Sequence, residues 1–136
     1  MASLYPSWIE IPVADFDRAL AFYRAVFELT DTPLYEDEPS MQIAVLLPSD
    51  KSTRAPGVSL VRSPQHNPGG GGVQVNFHVD KHAALERALE TARRRGGVVL
   101  NPIVDMGDGV HYVTLRDSEG NPIAFSSYEP LEGENE

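Results

Sequence analysis

Few side chains in this sequence could do chemistry. There is no cysteine, which removes disulfides, thiol nucleophiles, iron–sulfur clusters and cysteine-ligated zinc and leaves any metal to His, Asp and Glu. Glu10, His78 and His111 each fall in a β-prone run. Brought together, they could hold a divalent ion or work as an acid/base pair, because His and Glu need only modest shifts to act near neutral pH. Equally, Glu10 could bond Gln74, Asn76 or a backbone group, and His111 could point outward. Trp8, the single tryptophan, presents a flat apolar face and one N–H donor, suited to stacking on an aromatic or conjugated compound or, more plainly, to filling space. The run Gly69 to Gly72 lacks the Lys-Ser/Thr and following helix of a phosphate loop, which leaves it a hinge or linker. Arg93, Arg94 and Arg95 complement the negative end of a helix. His66 and His82 read as ordinary solvated residues.

The elements that must position these groups follow from periodicity. Trp8 to Val13 reads as a strand. Phe16, Ala19, Leu20, Phe22, Tyr23, Val26 and Phe27 then form one helical stripe, with Asp15 placed as N-cap. Short β-prone runs follow at Met41–Leu47 and Val58–Arg62, with Leu34-Tyr35 a weaker third. Two prolines and four glycines in Ser63 to Gly72 predict a mobile connector. Beyond it Val73, Val75, Phe77 and Val79 alternate with Gln74, Asn76 and His78, giving one greasy face and one polar face. Asp80 is placed to cap a second helix carrying Ala84, Leu85, Ala88, Leu89 and Ala92, with Gly96-Gly97 ending it. Strands are then expected at Val98–Leu100, Val110–Arg116 and Ile123–Tyr128, the last two joined by a hairpin turn at Asp117 to Asn121. Each half is β-α-β-β-β, and laying Trp8 on Gln74 and Val13 on Val79 superposes the two halves as a duplicated unit. The division predicted is a first module over 1–62, a linker over 63–72, a second module over 73–128 and an acidic tail over 129–136 that is expected not to fold.

With 136 residues, 41% of them hydrophobic, the chain holds about one domain with a core of ordinary size. A net charge of −9 repels phosphate backbones and anionic lipid headgroups, so neither nucleic acid nor a membrane is expected as partner. No apolar run is long enough to cross a bilayer, and the N-terminus lacks a basic segment followed by an apolar one. A non-secreted, cytoplasmic protein is the expectation.

Two stretches carry a resemblance. The segment from Trp8 to Leu29, WIEIPVADFDRALAFYRAVFEL, and the segment Arg116 to Phe125, RDSEGNPIAF, resemble the opening strand–helix and the closing hairpin of the vicinal oxygen chelate superfamily. That family includes glyoxalase I, bleomycin-resistance proteins and extradiol dioxygenases. The resemblance implies an α+β fold of two βαβββ modules forming a cupped mixed sheet, with helices outside and a ligand cleft inside. Glu28 departs from the glycine often found after the first helix. Family enzymes hold a divalent metal with His, Glu or Gln side chains on the first and fourth strands of each module. Carried onto this chain, those positions fall on Trp8, on Val58 to Leu60 with Ser59 the sole polar candidate, on Gln74 and on Ala124. An indole and a methyl group cannot ligate, and a hydroxyl with an amide would hold a divalent ion poorly.

The reading that follows is a metal-independent small-molecule-binding protein with no cofactor. Its open cleft would be lined by Trp8, Glu10, Gln74, Asn76, His78 and Ser126, on a chain expected, as similar proteins do, to pair as a homodimer. The alternative is a metal-dependent lyase, isomerase or dioxygenase with relocated ligands Glu10, His78 and His111, which would polarise vicinal substrate oxygens. Tyr112 and Tyr128 could contribute to the cleft, although strand facing leaves them more suited to packing or surface.

Overall fold

In a computed structural model, which describes residues 4–38 and 40–131, the two halves have the same topology. The first contains β1 (Trp8–Pro12), α1 (Phe16–Phe27), β2 (Leu34–Glu38), β3 (Met41–Leu47) and β4 (Gly57–Arg62), in sheet order β1-β4-β3-β2. The second contains β5 (Val75–Val79), α2 (His82–Arg94), β6 (Val98–Val99), β7 (Val104–Asp105), β8 (Val110–Arg116) and β9 (Pro122–Tyr128), in order β5-β9-β8-β6 with β7 also on β8. In both halves the opening strand runs parallel to the closing one. The two-residue β7 is absent from the sequence reading because so short a run has no periodicity to detect. Residues 132–136 of the expected acidic tail lie outside the described residues.

Helix α1 begins where Asp15 accepts from the Arg18 amide at 3.1 Å, as its N-cap position predicts. It buries Phe16, Ala19, Leu20, Phe22, Tyr23 and Val26. Its C-cap is Glu28, at φ 54° and ψ 45°, a left-handed conformation that a side chain disfavours and glycine adopts freely. Replacing Glu28 with glycine is therefore expected to stabilise the fold by about 0.5–1 kcal/mol after the extra unfolded-state entropy of glycine is offset. A urea midpoint that stays put or falls would contradict this.

Helix α2 corrects one expectation. Asp80 does not cap it: the cap position is Lys81, which makes no side-chain cap bond. The His82 amide instead donates to the Glu129 carboxylate at 2.7 Å, supplied from just after β9, so the first residue of the presumed tail satisfies a helix terminus. At the other end Gly96 takes φ 97°, as a C-terminal glycine should.

Leu85, Ala88, Leu89 and Ala92 of α2 and the buried face of α1 join Ile11, Leu60, Phe77, Val113, Leu115 and Phe125 in a single core spanning both halves. The aromatic contacts cross the junction: Phe27 lies 4.7 Å from Phe77 and 5.4 Å from Phe125 between ring centroids. Val73, placed by the alternation with the core-facing residues, precedes β5 and is 91% exposed.

The DSEGN turn does more than close a hairpin. Asp117, 2% exposed, accepts from the Tyr23 hydroxyl at 2.6 Å, the Glu119 amide at 2.8 Å, and the Asn121 amide and side chain at 2.9 and 3.1 Å. Glu119 accepts from the amides of Ala14 and Asp15 at the start of α1 and from Arg18. Burial alone would raise the Glu119 pKa, but the bond and charge of Arg18 together with those two amides outweigh it and hold the carboxyl below its usual range. Asn121 donates to the Pro12 carbonyl on the open edge of β1 and accepts from the Gly69 amide. One five-residue turn thus clamps the second half onto the first.

Candidate ligand-binding site

Strand register decides which face each candidate occupies. In the first sheet Trp8 pairs with Gly57, Glu10 with Ser59 and Ser59 with Val45, so these residues share the face opposite α1. In the second, Asn76 pairs with Ala124 and Thr114 beyond it, and His78 with Ser126 and then Tyr112, which places this set on the face opposite α2. The polar face anticipated from the alternation of Asn76 and His78 is therefore present in the second sheet.

Trp8 is 43% exposed. Its ring lies flat over Gly57, where any added Cβ would overlap the indole carbons; only glycine lets the strand accept the ring there. Gln74 donates to the Tyr112 hydroxyl at 3.1 Å. Tyr112, Asn76 and Ser126 line a groove of about 370 Å³, walled by Met106, Gly107 and Asp108 of the β7–β8 turn and by Val110. Gln74, Asn76, Tyr112 and Ser126 are thereby brought together. Tyr112 lines the same groove as Asn76 and Ser126, and its register opposite Ser126 is the signal that a strand-facing argument could have used.

The other candidates stand apart. Glu10 lines a separate cavity of about 240 Å³, and His78 lines a third of about 230 Å³ together with Phe27, Leu29, Leu46, Leu47, Phe77 and Val79. His111 lies on the α2-facing side of its sheet, opposite Ser127 in register, with its ring stacked on that of His82 at 3.5 Å and 7°. Glu10, His78 and His111 do not converge. Two histidines read as solvated prove engaged: His82 bonds the Ser127 hydroxyl at 2.7 Å, and His66 bonds Glu10 at 2.9 Å and Ser63 at 2.7 Å. Neither contact is encoded in local pattern, because each joins segments far apart along the chain.

The positions to which the resemblance assigns metal ligation hold Trp8, Ser59, Gln74 and Ala124. Ser59 is buried, and its hydroxyl has no hydrogen-bond partner among the described residues. Ala124 is wholly buried and carries no donor, and Gln74, whose side-chain nitrogen donates to the Tyr112 hydroxyl, offers one neutral amide oxygen. One orphan hydroxyl and one amide do not make a divalent-cation site. No group of three or more His, Cys, Asp or Glu side chains among the described residues is placed to hold a metal, so the donor set does not fit the ion used by metal-dependent members of the fold.

Residues 6–125 match the family model of the Glyoxalase/Bleomycin resistance protein/Dioxygenase superfamily, and the chain belongs to that superfamily. Among solved structures it is similar to a glyoxylase/bleomycin resistance protein/dioxygenase domain from Frankia sp. EAN1pec, with TM-score 0.71, 13% identity and coverage of 97% of this chain and 96% of that one. It is also similar to a glyoxalase/bleomycin resistance protein/dioxygenase family enzyme from Burkholderia phytofirmans PsJN, with TM-score 0.66, 17% identity and coverage of 90% and 98%. A genomically encoded fosfomycin resistance protein, FosX, from Listeria monocytogenes superposes with TM-score 0.67 at 11% identity, covering 97% and 96%. Identities this low speak for the fold alone. Comparison with curated proteins finds no match. Among the described residues no helix is long and apolar enough to cross a membrane.

Proposed function

We propose that this chain is a metal-independent small-molecule-binding protein whose groove uses Gln74, Asn76 and Ser126 beside Tyr112, completed by Trp8 from a second copy, while Glu10 and His78 line cavities of their own. The observation that carries the proposal is chemical: at the four duplicated strand positions the side chains are an indole, a buried hydroxyl, an amide engaged by Tyr112 and a methyl group. What they offer is a stacking face and neutral hydrogen-bonding groups, which suit a partly aromatic, hydrogen-bonding compound. The groove at Asn76, Tyr112 and Ser126 is open on one side. Trp8, Tyr35, Met106 and Tyr128 are each at least 43% exposed. A second copy of the chain, laying the Trp8 face over the groove, would cover it and bring the two sets of candidates into one cleft.

The reading is tested by a thermal-shift screen of fused-ring and other partly aromatic compounds in EDTA, followed by fluorescence of the single tryptophan. Ligands that stabilise the protein in EDTA and quench Trp8 support the proposal. Stabilisation that appears only on adding a divalent metal would overturn it.

A further inference from the structure

The two halves share one core but do not close it at the end where α1 stops. A cavity of about 230 Å³ lies there, lined by Phe27, Leu29, Leu46 and Leu47 of the first half and by the Phe77–Val79 stretch of β5. Phe27, Leu29, Leu46, Phe77 and Val79 belong to the shared core or pack against it, so their side chains lie on the helix side of the sheets. Leu47 joins them through a bulge. Strict alternation would turn it away from Leu46, but the register shift between Val45 and Leu47 pairs Leu47 with the core residue Val58, which puts both leucines on one face. At 40% exposure, Leu47 marks the open side. β5 is an edge strand of its sheet, so no further strand fills the gap. His78 is the one polar residue in the lining among the described residues, and its pairing with Ser126 puts the imidazole on the opposite face of β5 from Phe77 and Val79. The side-chain walls are therefore hydrocarbon. Protein cores leave few voids larger than a water molecule, and water gains no side-chain hydrogen bond from such walls.

We propose that this cavity binds a small neutral aromatic molecule, its ring against Phe27 and Phe77 and its rim against Leu29, Leu46, Leu47 and Val79. The rings of Phe27 and Phe77, tilted 44° with centroids 4.7 Å apart, can be met by a third ring edge-to-face or offset. A charged group would leave water with no side chain in the walls to pair it, so the cavity selects neutral compounds. The volume lies between that of an engineered cavity that admits benzene, about 150 Å³, and the lower end of drug-sized sites, about 300 Å³, which sets the ligand at about six to ten non-hydrogen atoms. Asn76 and Ser126 line their groove on the other face of β5, so occupancy of the cavity is separate from occupancy of the groove. Because both halves wall the cavity, its ligand binds the folded chain and not the unfolded one, and raises the melting temperature.

The test is a carbon–proton methyl shift titration of the full chain with toluene and, separately, with benzylammonium chloride, in wild type and in Val79→Phe. Saturable toluene shifts are expected at the methyls of Leu29, Leu46, Leu47 and Val79, together with a rise in melting temperature. Benzylammonium, which adds a charge to the same ring, should bind about tenfold more weakly or worse, and so should toluene to Val79→Phe, whose extra ring carbons occupy the cavity. Val79 is only partly buried, so the variant should fold, and the benzylammonium comparison needs no variant. Absence of saturation, shifts confined to Met106 and Val110 of the groove, or affinities for benzylammonium or for the variant within about twofold of the reference would overturn the proposal. Shifts of the same methyls with protein concentration alone, as a dimer forms, would make a second copy the occupant and overturn it as well.

Discussion

Replacing Asp117 with alanine is expected to lower the unfolding free energy by about 3–4 kcal/mol, out of the roughly 5–15 kcal/mol typical of a domain. The carboxylate is buried and takes four hydrogen bonds, one of them from the Tyr23 hydroxyl across the junction between the halves. Alanine leaves those donors without an acceptor and opens a void beneath Tyr23, and each stranded buried donor costs its desolvation. Tyr23→Phe removes only one of the four and should cost about 1–2 kcal/mol. Denaturant titrations of the two variants measure both values; a loss under about 1 kcal/mol for Asp117→Ala would show that the turn is not a clamp.

The same contact predicts a pH dependence. Burial first, then the charge of Asp117 and the hydrogen bond to it, push the Tyr23 pKa well above the usual tyrosine value of 10.0. Between the unfolded and folded values the unfolded chain has lost the proton and the native state keeps it, so stability is full below pH 10 and falls as pH rises above it. Tyr23→Phe should flatten that alkaline loss. An alkaline slope identical in wild type and Tyr23→Phe would assign it to other groups.

In the proposed cleft, where Trp8 of a second copy covers the groove, Trp8→Ala is expected to weaken ligand binding by about thirtyfold or more, close to 2 kcal/mol, the scale at which a central aromatic contact is lost. Its effect on folding should be small, because the ring is 43% exposed and rests on Gly57 rather than in the core. Calorimetric titration with a ligand found in EDTA, set beside the denaturation midpoint of the variant, separates the two effects. Unchanged affinity would mean that Trp8 only fills space.

The topology was legible because it rests on local signals repeated twice: a capped amphipathic helix after a strand, then glycine- and proline-punctuated strands. Val110–Arg116 coincides with its expected strand, and Asp15 caps as placed. The cap on α2 was not legible, since Glu129 reaches His82 from 47 positions away and no periodicity encodes that. The candidate site was legible in facing but not in grouping. Alternation put Gln74, Asn76 and His78 on one side of the strand, but which of them shares a groove depends on the β7–β8 turn and on how the halves are docked. His111 failed for a related reason: its own strand alternates Val, Tyr and Thr around it, a pattern that leaves the buried side ambiguous until Ser127 and His82 are placed beside it.

Elemental analysis of protein purified without chelators tests most directly the proposal that the strand positions of Trp8, Ser59, Gln74 and Ala124 bind no metal. The account predicts divalent metal far below one ion per chain, and no change in melting temperature on adding EDTA. One tightly held ion per chain, removed by EDTA with a fall in melting temperature, would contradict it.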